Sequence, residues 1–219
     1  EQWPLDGRWI SAGHSEGALA ALHAVAGGPV AGFDLRAVVA FTPVTRMGQT
    51  IGAALRLPVV LPGFQVVTAL IALMIEGAAT TTAPLRTLLA NGGLSREALA
   101  LWPHLGERSL SELCERDSFG ALAPRALLGP SGAEVRRHLL DSFRADEVAD
   151  LRLPAGVPLR IDAGRFDEVA PFWLTRRLAR SHGARGTDVE LHWWNGMHSR
   201  TVDLAAAAAA DWCRATCCG

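Results

Sequence analysis

Gly13-His14-Ser15-Glu16-Gly17 sets a serine between two glycines, each two residues away. Glycine at such positions lets the chain turn sharply enough to lift a serine hydroxyl clear of its neighbours. A hydroxyl becomes a useful nucleophile when a base takes its proton, and the base in turn is oriented by an acid. Downstream, Gly164-Arg165-Phe166-Asp167-Glu168-Val169 and Asn195-Gly196-Met197-His198-Ser199 supply both groups. Asp167 and His198 each follow a run that reads as a strand, so both are expected in loops at one edge of a sheet. With Ser15 they would support acyl transfer through a covalent acyl-serine.

Each role has rivals. Asp162 lies within a strand and would point into packing, Glu168 adjoins Asp167 and could substitute for it, and Asp203 falls in the last helix. Among the histidines, His14 sits in the turn itself and is expected to pack into the core. His23 and His182 ride on helices, His104 and His138 fall in the middle of the chain, and His192 alternates within a strand. His198 alone follows the last strand and precedes the last helix, and it completes the order serine, acid, histidine.

The elements that must position these groups lie toward the two ends of the chain. Trp9 to Ala12 is a short apolar run ending at Gly13, and Ala18 to Ala26 reads as a helix closed by Gly27 and Gly28. Leu35 to Val44 and Val157 to Ala163 read as buried strands, and Val189 to Trp194 as a fourth strand. Pro171 to His182 and Thr201 to Arg214 read as helices. Strands alternating with helices predict a parallel sheet covered on both faces, an α/β fold. The core is therefore assigned to 1–44 and 154–219.

Between 45 and 153 the strand signal disappears and helix signals replace it. Ser95, Ser109 and Ser131 each precede a helical stretch, with capping boxes expected at Ser109/Glu112 and Ser131/Glu134. Asn91-Gly92-Gly93 reads as a helix stop. This span is a helical insertion. The uncharged run Val59 to Ile75 would either line an acyl pocket, with Phe64 in it, and meet a lipid surface, or form the core of a helical subdomain. Its unbroken helical part, Phe64 to Ile75, is about 12 residues, short of the roughly 20 that a membrane span needs. Trp193 and Trp194 adjoin the expected base. Alternation turns one of them to the core, and Trp194 is taken as the pocket residue.

Composition narrows the function classes. The 219 residues are 49% hydrophobic and 20% charged with a formal net charge of -1, which argues against disorder and against a basic nucleic-acid-binding surface. No lysine or tyrosine is present, so neither competes as a base. Cys114, Cys213, Cys217 and Cys218 show no metal-binding spacing. They permit a disulfide from Cys114 to one of the C-terminal three, or free thiols.

The GHSEG turn, the GRFDEVAP stretch, the GMHSR loop and the helical insertion together resemble the secretory lipase family of α/β hydrolases, over nearly the whole chain. One departure is Ala18, where family members often have a further glycine. The resemblance implies the C-terminal half of an α/β-hydrolase sheet with a helical lid inserted. It further implies a serine ester hydrolase acting on acyl or lipid esters through Ser15, Asp167 and His198, without metal or organic cofactor. The backbone N–H of Glu16 would be one oxyanion donor. The second belongs to a loop upstream of the turn, and with so few residues before Gly13 the first strands are expected to lie outside this sequence. A second chain completing the sheet, lid contact with lipid, and a secreted location without its signal peptide in view are the accompanying expectations. The alternatives are an acyltransferase or peptidase using the same residues, or a catalytically incomplete lipid- or partner-binding half-domain.

Overall fold

The computed structural model describes residues 6–60 and 65–218. Phe64 lies outside them. In chain order the elements are β1 (Arg8–His14), α1 (Glu16–Ala26), β2 (Asp34–Phe41), α2 (Met47–Ala54), α3 (Gln65–Thr81) and α4 (Ala83–Leu88). They continue with α5 (Arg96–Leu101), α6 (His104–Glu107), α7 (Leu110–Leu113), α8 (Gly132–Ala145), β3 (Leu159–Gly164), α9 (Phe172–Ala184), β4 (Val189–Trp194) and α10 (His198–Cys218).

The chain divides into two compact units, one of residues 1–45 and 147–219 and the other of residues 46–146. The first holds a four-stranded sheet in the order β1-β2-β3-β4, with every neighbouring pair parallel. Parallel neighbours need crossovers, and α1, the 46–146 segment and α9 supply them. β3 is buried along its whole length, as expected of a central strand under helices on both faces. Leu22, Leu159, Ile161 and Leu178 are almost fully buried around it. Each contributes roughly 1.5–3 kcal/mol by leaving water. The strand ends are in register, with His14 beside Phe41, Phe41 beside Asp162, and Gly164 beside Trp194. Consequently everything that follows a strand lies along one carboxyl edge.

A buried ion pair sits inside this unit. Arg160 and Asp162, 3% and 0% exposed, form a two-pronged pair on β3, Nε to Oδ2 at 2.8 Å and Nη2 to Oδ1 at 2.9 Å. Trp194 donates its indole N–H to Asp162 Oδ1 at 2.8 Å. The packing role expected of Asp162 therefore takes this form.

The 46–146 unit is helical around its own core. α3 turns Thr68, Ala69, Ile71, Ala72, Ile75 and Ala79 inward, the spacing of one helical face. The part of the apolar run that lies in α3 thus contributes to this core, while Leu57 and Val59 ahead of it are exposed. Trp102 meets Phe119 edge-on and donates its N–H to Glu76 at 2.8 Å. Ser95 and Ser109 cap their helices from extended backbone, and Ser109 forms the full box with Glu112. The box expected at Ser131 is absent: its φ of -90° and ψ of 16° are not the extended conformation that aims a capping side chain. The sheet unit also takes in 147–153, assigned from sequence to the insertion. Glu147 accepts from the Thr45 hydroxyl at 2.6 Å and from the Ala149 N–H at 2.9 Å, tying that segment to the end of β2.

Cys114, Cys213 and Cys217 are free thiols. Burial raises the thiol pKa of Cys114 and Cys213. Among the described residues no helix is long and apolar enough to cross a membrane.

Candidate active site

Ser15 occupies the single residue between β1 and α1, with φ 56° and ψ -117°. A positive φ is strained for a residue with a side chain, and it persists here because both flanks are fixed. The Ser15 N–H donates to the Phe41 carbonyl at 3.0 Å, while its own carbonyl accepts from Ala18 at the start of α1. Gly13 is required: a Cβ there would stand 2.0 Å from the Gly17 carbonyl oxygen. Gly17 is not required in the same way, since a Cβ on it meets nothing within 4 Å. The two glycines of the motif therefore differ in kind, which their symmetric spacing conceals.

His198 and Asp167 come from the ends of β4 and β3, and backbone contacts stitch those ends together. Arg165 donates to the Trp194 carbonyl at 2.9 Å and Phe166 to the Gly196 carbonyl at 3.2 Å. Gly164 allows the approach, because a Cβ there would lie 2.6 Å from the Thr201 hydroxyl and 2.7 Å from the Gly196 oxygen. His198 is the first residue of α10 and not a loop residue as expected. The helix starts early because Thr201 bonds back to the Met197 carbonyl through both its N–H and its hydroxyl.

The three side chains form one hydrogen-bonded chain. Ser15 Oγ lies 2.8 Å from His198 Nε2, and His198 Nδ1 lies 2.9 Å from each oxygen of Asp167. Asp167 Oδ1 also accepts from the N–H groups of Val169 at 2.9 Å and Ala170 at 2.6 Å. Asp167, accepting at every contact, requires the proton on Nδ1, which leaves Nε2 as acceptor for the serine hydroxyl. Asp167 and His198 are buried and Ser15 is half-buried.

Glu168 does not stand in for Asp167. Its Oε2 accepts from the backbone N–H of His198 at 3.1 Å and so holds the start of α10. His14 departs from its expected place in the core: its ring stacks on that of His198, with centroids 4.9 Å apart and planes tilted by 43°. Burial lowers the His14 pKa, and the neighbouring His198 lowers it further. A ring that resists protonation therefore covers one side of the His198 imidazole. Trp194, the expected pocket residue, donates its indole N–H to Asp162, while Trp193 lines a surface cavity with Phe172. Glu16 is the first residue of α1, so its N–H has no acceptor within the helix. Among the described residues no group of three His, Cys, Asp or Glu side chains is gathered as a metal site.

No family model and no curated protein matches the sequence. Solved structures do match. Candida antarctica lipase A in its closed state aligns with a TM-score of 0.67 at 13% identity, covering 89% of this chain and 45% of that one. The rice cell wall degrading esterase LipA from Xanthomonas oryzae, in a ligand-bound form, gives 0.68 at 14% identity, with 96% and 57% covered. A Legionella pneumophila protein gives 0.74 at 14% identity, with 97% and 57% covered. The chain has part of an α/β-hydrolase fold. It spans about half the length of these matched structures. In this α/β-hydrolase sheet, Ser15 follows β1 at the strand-to-helix turn, and Asp167 and His198 follow β3 and β4.

Proposed function

We propose that this chain carries the nucleophile, acid and base of a serine hydrolase of lipase or carboxylesterase type that cleaves acyl or lipid esters. The observation supporting this reading is the continuous chain from Ser15 Oγ through the His198 imidazole to Asp167, set on a strained turn at a helix N-terminus. Ser15 Oγ attacks the ester carbonyl as its proton passes to His198 Nε2, and Asp167 stabilises the imidazolium through Nδ1. The carbonyl oxygen becomes an oxyanion, which the free N–H of Glu16 and the positive end of α1 stabilise. When the intermediate collapses, the ester C–O bond breaks and His198 returns the proton to the departing alkoxide. A water molecule, deprotonated by His198, then attacks the acyl-serine, releasing the acid and restoring Ser15.

A Ser15→Ala variant tests the reading directly. Hydrolysis of a nitrophenyl ester is expected to fall to background while the fold is retained, and a fluorophosphonate probe is expected to label wild-type protein at Ser15. Undiminished turnover in Ser15→Ala, or wild-type protein that fails to label, would overturn it.

A further inference from the structure

A second concave site lies on the sheet unit at the α9 side of β4. Arg165, Phe166, Phe172, Arg176, Trp193 and Asn195 line a cavity of about 490 Å³, within the usual range for small-molecule sites. Its aromatic residues are left open to solvent: Phe166 is 66% exposed and Phe172 40%. Phe172 stands edge-on to Trp193, with centroids 6.0 Å apart and planes at 80°. Large aromatic faces are costly to leave in water, and such an edge-on pair leaves ring faces free for a planar guest to stack on.

Charge identifies the guest's other end. Among the described residues neither the Arg165 nor the Arg176 guanidinium has an ion-pair or hydrogen-bond partner, as is also true of Arg177 and Arg180 on the same helix. Residues 165–185 hold five arginines and two acids. Of those acids, Asp167 is directed at His198 and Glu168 at the His198 backbone. The two charged residues that line the cavity, Arg165 and Arg176, are thus both positive and stand beside an aromatic wall. Guanidinium forks bind carboxylates through paired, charge-assisted hydrogen bonds, and Asn195 adds an amide able to donate or accept.

We propose that this cavity binds a small carboxylate carried on a planar apolar body, an aryl-type acid, with the carboxylate on Arg165 and Arg176 and the body against Phe172 and Trp193. None of Ser15, Asp167 and His198 lines the cavity, and the proposal does not depend on the hydrolase reading. Calorimetric titration of the whole chain with 3-phenylpropanoate is the test, with the uncharged 3-phenylpropanamide as the matched probe. Saturable binding of the acid with a dissociation constant of about 1 mM or tighter is expected, with the amide at least about tenfold weaker. The double variant Arg165→Gln/Arg176→Gln is expected to lose about tenfold for the acid and nothing for the amide. Phe172→Ala is expected to weaken both probes. Because binding is read directly, these outcomes are independent of ester turnover. Equal affinity for acid and amide, unchanged affinity in the double variant, or no saturation would each overturn the proposal.

Discussion

Replacing Asp167 by Asn exchanges one oxygen for an NH2 group and reverses the hydrogen-bond logic of the site. In the native arrangement Oδ1 accepts from the N–H groups of Val169 and Ala170, and both oxygens lie 2.9 Å from His198 Nδ1. The asparagine must keep its carbonyl oxygen on those two donors, since the flipped amide would press its NH2 against them. Oδ1 stays 2.9 Å from Nδ1 and can still accept from it, but the nitrogen in the Oδ2 position now stands donor against donor with Nδ1–H, a clash relieved when His198 shifts its proton to Nε2. That tautomer presents an N–H to Ser15 Oγ and cannot accept the serine proton. The expected loss in kcat is about 10⁴-fold, or about 5.5 kcal/mol of transition-state stabilisation. Side-chain volume and the two turn hydrogen bonds are kept, so Tm should fall by no more than a few degrees, roughly 1 kcal/mol. Nitrophenyl ester turnover and a thermal melt on the same preparation measure both quantities. Glu168→Gln is the matched control: an amide oxygen can still accept from the His198 N–H, so activity should stay within about tenfold. An Asp167→Asn variant that keeps more than a tenth of wild-type kcat would refute the reasoning, and a Glu168→Gln variant as damaged as Asp167→Asn would transfer the acid role to Glu168.

Three further outcomes follow from the same geometry. Gly13→Ala should destabilise the chain by about 3 kcal/mol and remove activity, because its Cβ meets a backbone carbonyl, whereas Gly17→Ala should stay within about 1 kcal/mol in denaturant melts. Asp162→Asn leaves the Arg160 charge buried without its counter-charge and should cost about 3–5 kcal/mol in the same measurement. His182 is fully buried and its pKa is lowered by that burial from an ordinary 6.5, with the Val148 backbone opposing the shift. As pH falls through 6.5 the unfolded chain takes up this proton and the folded chain does not, so stability declines toward acid; His14 acts in the same direction. His182→Gln should flatten the fall in Tm between pH 7.5 and 5.5, and a slope identical to wild type would contradict this.

What the sequence reveals about this site depends on whether a residue's role is set along its own strand or by its neighbours. Ser15, Asp167 and His198 can be read because each lies just past a run that forms a parallel strand, and parallel strands end at one edge whatever their side chains do. The parallel α/β arrangement itself follows from the same alternation of strand and helix. The surroundings resist such reading. Period-2 alternation states that Trp193 and Trp194 face opposite sides of β4 but not which side is buried. The deciding partner is Asp162 on β3, which the ladder sets beside His192, so that Trp194 falls on the diagonal within reach of its carboxylate. That register is a property of two strands and a helix crossover, and neither strand's own pattern contains it. His14 is similar: it adjoins Ser15 in the chain, yet its contact is with a histidine at the start of α10. The placement of side chains at strand ends is therefore legible in one chain's pattern, while the orientation of the groups around them is fixed only when the sheet closes its register.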